Sequence, residues 1–355
     1  MRITSVTGIP VSTSFDYGNP AGPGGNLHLR AMDTLLVKVE TDIGITGWGE
    51  GFGFSLVPIT AQVLNTLIAP ACLGEEPHDI PGLMSRLARR FHNFGLNGAV
   101  SFALSGIDIA LWDIAAKAAG QPLHALLGGK RRDRVPAYAS LLRYGDPKLV
   151  AENTARAVAL GYRQIKLHEV RLDCIRAARA AAPVEIPLML DINCAWPGVA
   201  QAVEFCGDVQ GMNVRWVEEP IWPPEDFAAI AEVRREGGVG IAAGECLGSV
   251  AALKAMLQAG AVDVVQPSIT KCGGISAMLE MRRLAVQHGV ALVPHCPYFG
   301  PGLLATLHFL AAAEVEEPLE YYFAELARPP YPALIPRQGF VALPDAPGLG
   351  YEPAL

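Results

Sequence analysis

The sequence predicts an α/β chain: a (β/α)8-type, TIM-like barrel joined to an N-terminal α+β capping domain. Three observations predict it. From about Val135 onward, short β-type runs alternate with Ala-rich helical stretches, eight times over. Polar residues close most of those runs at nearly constant intervals. The first third of the chain has a different texture, an alternating hairpin pattern followed by helical stretches.

The N-terminal elements come first. LHLRAMDTLLVKVETDIGITGWGEGFG alternates apolar and polar residues and turns at Asp42-Ile43-Gly44, which predicts an antiparallel hairpin. Three helical patterns follow: ITAQVLNTLIAPACLG, IPGLMSRLARRFHNF and VSFALSGIDIALWDIAAKAAG. The last is rich in Ala and Leu and stops at Gly120 with Pro122 just beyond. The barrel strands read as VPAYA, RQIKLH, PLMLDIN, VRWVEE, VGIAAGE, AVDVVQP, VALVPH and PLEYY. Between them run helical segments such as KLVAENTARAVAL, CIRAARAAA, AVEFCGDVQ, EDFAAIAEVRRE, VAALKAMLQAG and SAMLEMRRLAVQHG. The tail from about Ala324 is Pro-rich and irregular and is expected to return to the N-terminal domain. The division is therefore 1–130 for the cap, completed by 324–355, and 131–323 for the barrel.

Composition narrows the function classes. The 355 residues are 51% hydrophobic and 18% charged, enough for a large core. Net charge is −7 with no basic patch, which argues against nucleic acid. MRITSVTGIP lacks the apolar core of a signal peptide, and no run reads as long and apolar enough to span a bilayer. Seven scattered cysteines without a CxxC pair read as free thiols in a reducing cytoplasm. GxGxxG-like matches at GPGG and GEGFG do not lie between a strand and a helix and carry no weight.

One polar residue at the end of seven runs gives Lys166, Asp191, Glu218, Glu245, Ser268, His295 and Glu320, at steps of 25, 27, 27, 23, 27 and 25. Barrels of this kind use about 25–30 residues per unit and carry their chemistry at those strand ends. Asp191, Glu218 and Glu245 close three consecutive runs. Three carboxylates at one mouth repel unless a cation sits between them, and an all-oxygen set suits Mg²⁺ or Mn²⁺ rather than zinc. Asn193, two beyond Asp191, is placed to support the metal or its water. Glu219 is one residue out of phase and should point away.

Lys166 and His168, two apart, face inward together. A lysine crowded by metal and low-dielectric walls has its ammonium disfavoured and can act as a base. His168 tunes Lys166, binds substrate or is simply packed. His295, across the mouth, reads as a second catalytic group. Glu320 is placed to hold a substrate oxygen. Lys271 reads as a substrate contact or the partner of a nearby acid. Cys194, Cys246, Cys272 and Cys296 read as small packing residues beside hard oxygen ligands.

At these residues the chain resembles the enolase superfamily and, within it, the mandelate racemase-like group. SGIDIALWDIAAKAAGQPLHALLGG is similar to that family's junction between cap and barrel. IKLH is similar to its base motif, and LDIN, WVEEP and AGE to its three metal-ligand strands. The resemblance implies Mg²⁺-dependent removal of the proton α to a carboxylate, with the ene-diolate stabilised by the metal. It implies Lys166 as base and His295 as acid or second proton donor. Glu320 falls where that group has a glutamate contacting the substrate carboxylate. A cap closes over the mouth, with candidate contacts around Phe15, Tyr17 and His28 and around Phe52 and Phe54. The partner is a small-molecule carboxylate, with no nucleic acid or membrane, and the resemblance implies a homo-oligomer.

The chain departs from that pattern at VDVVQPSITKCGG. The racemase-like group carries an aspartate at the position of Ser268, hydrogen-bonded to the histidine; the other branch carries a lysine. This chain has neither. Nothing at 268 is then expected to fix the tautomer of His295, and Lys271 lies a turn too far to reach in. One base and one acid suffice for dehydration of a hydroxy or sugar acid, whereas racemisation needs a competent group on each face. The reading is therefore a lyase of the acid-sugar dehydratase kind. A racemase or epimerase is the alternative, and a third is an impaired homologue that binds metal and carboxylate. Ser268 reads as a hydrogen-bonding partner of His295 or of a substrate hydroxyl.

Overall fold

Period-two alternation builds the first sheet. In the computed structural model, which describes residues 1–19 and 31–353, strands β1 (Ile3–Asp16), β2 (Ala31–Thr41) and β3 (Thr46–Gly51) pair antiparallel. The β2–β3 hairpin turns where expected, with Gly44 at φ 80°. The strand β1 has no counterpart in the sequence reading. Its Gly8 and Pro10 interrupt an otherwise weak pattern, and Pro is tolerated there because β1 lies at the edge of the three-stranded part of the sheet.

The helix Ala99–Ala118 lies across this sheet and is buried on nearly every face. Glycines let it approach. A Cβ on Gly49 would stand 1.9 Å from the Gly106 carbonyl oxygen, and one on Gly47 would stand 2.2 Å from that of Ala110. The few polar residues of the helix tie three parts of the chain together. Asp113 accepts from Trp48 N–H of β3 at 2.9 Å and from Leu349 N–H of the tail at 2.7 Å. Asp108 accepts from Ser276 N–H at 3.0 Å, and the Trp112 indole donates to Ser276 Oγ at 2.9 Å.

Two helical stretches, Phe54–Cys72 and Ala99–Ala118, are long and apolar enough to cross a bilayer, which corrects the expectation that no such run exists. Ala99–Ala118 is apolar because it is sandwiched between cap sheet and barrel. Phe54–Cys72 buries one side through Val57, Leu64, Ile68 and Cys72 against β1 and β2.

Eight of the later strands form the barrel: β4 (Arg134–Leu141), β5 (Ile165–Leu167), β6 (Leu188–Asp191), β7 (Val214–Glu218), β8 (Ile241–Ala243), β9 (Val264–Val265), β10 (Ala291–Leu292) and β11 (Leu319–Tyr322). They run parallel in the order β10-β9-β8-β7-β6-β5-β4-β11. Between β10 and β11, the Cys296 N–H donates to Glu320 Oε2 at 2.8 Å. Inside, Tyr138, Met189, Trp216, Ala242, Val264 and Val293 form one buried cluster drawn from six strand segments. Residues two further along β4, β6 and β7 (Ser140, Asp191 and Glu218) face the same interior one layer higher. The charged layer therefore stands on an apolar plug.

β8, β9 and β10 are shorter than the apolar runs suggested, so Glu245, Ser268 and His295 sit two to three residues beyond their strands. Gly244 at φ 129° ends the β8 ladder, and Pro267 and Pro294, lacking an N–H, follow β9 and β10. The helix Pro301–Ala311, also unread in the sequence, is buried along its whole length and has no polar face to mark its period. The tail is more regular than expected: β12 (Glu325–Leu326) pairs with Phe15–Asp16 of β1, and β13 (Phe340–Ala342) pairs with β4.

Glu50 of β3 points toward the barrel and accepts from Gly302 N–H at 2.8 Å, at the start of Pro301–Ala311. Burial pushes its carboxyl from 4.5 up to about 8, against the help of that hydrogen bond. The folded chain therefore holds this proton more tightly than the unfolded chain. The resulting stabilisation is full below pH 4.5 and is lost as pH rises through about 8. Between about pH 5 and about pH 9, unfolding midpoints should fall less steeply in Glu50→Gln than in the wild type; parallel profiles would contradict this assignment. Gly49→Ala should cost about 1–3 kcal/mol by denaturant unfolding, and an unchanged midpoint would disprove the tight strand–helix contact.

Candidate active site

Lys166, at the centre of β5, is fully buried, and an ammonium in such a place needs carboxylates around it. It has three. Its Nζ lies 3.2 Å from Asp191 Oδ2, 3.0 Å from Glu218 Oε1 and 2.7 Å from Glu320 Oε1. Burial opposes the charge, but Glu218, Glu320 and Asp191 together hold the ammonium well above its ordinary range. The disfavoured ammonium expected from the sequence is a property of the metal-loaded site. That expectation assumed a metal had already taken up the carboxylate charge.

Each carboxylate has its own setting. Burial opposes ionisation of Asp191, yet Lys166 and His168 outweigh it and hold the carboxyl below the usual range. Asn193 donates to Asp191 Oδ1 through its amide side chain at 2.7 Å and its backbone N–H at 3.1 Å. His168 bridges Asp191 Oδ2 at 3.2 Å and the Leu141 carbonyl at 2.6 Å. Glu218 accepts from Gln266 Nε2 at 2.9 Å and from the Trp216 indole at 3.1 Å, but burial and the charge of Asp191 push it up to about 8. Burial opposes ionisation of Glu245 too; His295 and Lys271 overcome it and hold the carboxyl far below the usual range. Glu320 accepts from Ser140 Oγ at 2.8 Å in addition to Cys296 N–H and Lys166.

The structure brings all ten candidate residues to this end of the barrel, with one correction of detail. Lys271 does reach in: its Nζ lies 3.4 Å from Glu245 Oε1 and 4.2 Å from the centre of the Phe52 ring. The tight turn Ser268–Cys272, with Lys271 and Cys272 N–H bonded back to the Ser268 carbonyl, folds it toward the mouth. Ser268 contacts His295, as the sequence reading expected: its Oγ is 3.2 Å from Nδ1, while Nε2 faces Glu245 Oε2 at 3.0 Å.

Glu219 departs from the alternation. Its φ of 47° rotates the chain after β7, so the buried carboxyl turns toward Glu245 and Cys246 rather than away. Burial and the charges of Glu245, Asp191 and Glu218 push it well above the usual range. Among the cap candidates, Phe52 covers Lys271 and stacks edge-on to Phe54 at 4.9 Å. Phe15 and Tyr17 are buried instead, with Tyr17 against Tyr144 at 5.8 Å, and His28 lies outside the described residues. Tyr298, expected near the mouth with Trp196 and Phe299 as an aromatic suited to a sugar ring face or an apolar acid, hydrogen-bonds Ser268; the sequence reading missed Ser140, Gln266 and Arg143, which donates to the His168 carbonyl at 2.5 Å and Asn193 Oδ1 at 3.2 Å. Of these, only Gln266 carried a signal, as a polar residue at the end of an apolar run.

Carboxylate oxygens of Asp191, Glu218 and Glu245 lie within 4.8 Å of one another, all at the barrel mouth. The elevated Glu218 marks a cradle short of positive charge. An all-oxygen set at this spacing fits a hard divalent cation.

Comparison with known proteins agrees with this geometry. Residues 149–354 match the family model "Enolase C-terminal domain-like", and residues 29–128 match "Mandelate racemase / muconate lactonizing enzyme, N-terminal domain". D-galactarolactone cycloisomerase of Agrobacterium fabrum is 33% identical over 90% of this chain and 88% of its own. L-talarate/galactarate dehydratase of Salmonella typhimurium is 33% identical over 91% and 81%. Further relatives are dehydratases of other sugar acids and an N-succinyl-L-Arg/Lys racemase. A mandelate racemase/muconate lactonizing protein from Paracoccus denitrificans, solved in complex with magnesium, superposes with a TM-score of 0.84 at 28% identity, covering 98% of this chain and 94% of that one.

Mn²⁺ binding followed by electron paramagnetic resonance tests the cradle. Gln266→Leu should weaken it by about tenfold to a hundredfold and Glu218→Gln by more; equal affinity in all three proteins would rule out the trio.

Proposed function

Because the chain belongs to the enolase superfamily, in its mandelate racemase / muconate lactonizing enzyme group, we propose that it dehydrates a hydroxy or sugar acid. The observation that carries this reading is the pairing of Lys166, inside the carboxylate ring, with His295 on the seventh unit, its Nε2 turned inward to Glu245. A Mg²⁺ or Mn²⁺ ion held by Asp191, Glu218 and Glu245 would polarise the substrate carboxylate and, by taking up their charge, loosen their hold on the Lys166 ammonium.

The chain's own residues do the rest. Neutral Lys166 removes the α-proton. The C–H electron pair moves onto the substrate carboxylate as an ene-diolate, then returns to form the Cα–Cβ double bond as the β C–O bond breaks. Protonated His295 gives its Nε2 proton to the departing hydroxyl, which leaves as water, and the ring returns to neutral imidazole. The enol relaxes to a 2-keto acid. Glu320 and Lys271 flank the substrate carboxylate, and His168 and Asn193 hold Asp191 in place. Phe52 and Lys271 shut the mouth against solvent.

A second reading is favoured by the cycloisomerase among the relatives. The same base and acid serve if the leaving oxygen belongs to a ring of the substrate rather than to a free hydroxyl. Racemisation would need a competent base on the His295 side as well. Retention of Lys166 and the full acid trio supports turnover over an impaired, binding-only role. The proposal extends to a cytoplasmic homo-oligomer, in keeping with seven unpaired cysteines.

A library of aldonic and aldaric acids, assayed for 2-keto acid formation in Mg²⁺ and deuterated water, tests the function. Lys166→Ala should lower kcat by at least about 10²–10⁴-fold. Activity surviving that change would remove Lys166 as the base, and inverted, α-deuterated substrate without keto acid would favour racemisation.

A further inference from the structure

Two of the cysteines read from the sequence as packing residues make contacts of another kind. Cys194 Sγ lies 3.6 Å from Glu219 Oε2, and Cys246 Sγ lies 3.8 Å from Glu245 Oε1. Left-handed backbone at Cys194, φ 56°, and at Glu219, φ 47°, turns the segments after β6 and β7 toward each other, and the Cys194 N–H donates to the Glu219 carbonyl at 2.8 Å. Carboxylate oxygens of Glu219 and Glu245 and the sulfur of Cys246 all lie within 4.8 Å of one another. Cys194 and Cys246 are half-buried, whereas the other five cysteines are buried.

Two further features point to a ligand here. Glu219 is buried, yet its Oε1 has no hydrogen-bond partner among the described residues, where buried carboxylate oxygens are ordinarily paired. A cavity of about 250 Å³ also reaches these side chains. Glu219 and Cys246 line it, between Leu96 and Asn97 of the cap and Phe227 and Leu247 of the barrel. Lys166 and the acids paired with it contribute nothing to its lining, so an ion could approach Glu219 without passing through that ring. Asn97 Nδ2 donates to the Cys246 carbonyl at 3.2 Å and holds this wall in place.

The donors select the ion. Thiolate sulfur favours zinc over magnesium, and two carboxylates complete a mixed set. A tetrahedral Zn²⁺ with Zn–S of about 2.3 Å and Zn–O of about 2.0–2.2 Å needs adjacent sulfur and oxygen donors about 3.6 Å apart. The observed pairs, at 3.6 and 3.8 Å, match that edge. Four such donors carry more negative charge than one dication cancels, and the Lys271 ammonium, 3.4 Å from Glu245 Oε1, offsets part of the remainder.

We propose that Cys194, Glu219, Glu245 and Cys246 form a second metal site, for a thiophilic divalent cation such as Zn²⁺, joined through Glu245 to the cradle of Asp191, Glu218 and Glu245. Each thiol releases its proton to solvent as its metal–sulfur bond forms, and no electrons are transferred. Both sites draw on Glu245, so filling the second weakens the hold of the first on its hard cation. The reverse holds by the same factor. The site therefore gives the protein an inhibitory response to soft metals, whichever acid it acts on.

The test uses Cd²⁺, which takes the same donors and absorbs in the ultraviolet when bound to thiolate, added to the full-length protein loaded with Mn²⁺. One equivalent should produce a two-thiolate charge-transfer band, while electron paramagnetic resonance shows Mn²⁺ affinity lowered by about 5–150-fold. Cys194→Ser and Cys246→Ser should each halve the band. Glu219→Gln keeps both thiols and should weaken Cd²⁺ binding by more than the about 10–100-fold typical of an outer-shell partner. The wild type alone can overturn the proposal: no band, or Mn²⁺ displaced one for one without a band, leaves the thiols as hydrogen-bond donors to Glu219 and Glu245. A band that survives replacement of both cysteines by serine would overturn it too, since the thiolates would lie elsewhere.

Discussion

A lysine ammonium buried at the heart of a barrel is tolerable only when carboxylates surround it, and the structure is arranged to meet that demand. Lys166 has Asp191, Glu218 and Glu320 within 3.2 Å, contributed by β6, β7 and β11. These strands can present their acids to one point because the sheet curves into a barrel and its interior residues alternate in layers. The apolar layer of Tyr138, Met189 and Trp216 below keeps water from reaching the ring from underneath. Charge burial that would be costly in isolation is offset by mutual pairing, and the surplus of acid leaves room for a divalent cation.

The upper side of the ring is governed by the cap. β3 ends in Gly51, Phe52 follows it, and Phe52 lies over Lys271. Glu50, on the same strand, bonds to the first turn of Pro301–Ala311. That helix follows the loop bearing His295 and Tyr298. Cap and His295 loop are thus braced against each other by one short strand, and the strand is held close to Ala99–Ala118 by glycines that leave no room for a side chain. A continuous set of contacts thus joins the stripe of glycines to the loop bearing His295.

The sequence disclosed most where geometry follows from period. Apolar runs closing on Lys166, Asp191 and Glu218 became strands, and those three side chains converge as strand phase requires. It disclosed less where the chain leaves its ladders. Glu219 points inward because a left-handed φ breaks the alternation. Lys271 reaches Glu245 because a tight turn folds it back. Tyr298 carried no periodic signal, being in a loop rich in proline and glycine, and Pro301–Ala311 is apolar on every side, so no period marks it as a helix.

By itself, then, the sequence determined the barrel, the converging acid trio, the inward-facing Lys166 and the vacancy at 268, since each depends on local alternation and on regular spacing along the chain. The tertiary structure alone decided which acids pair with Lys166, that Lys271 enters the mouth, and that a tyrosine stands behind the serine. Those outcomes depend on distances between residues remote in sequence, set by how turns, caps and loops pack, and no periodicity along one strand encodes them.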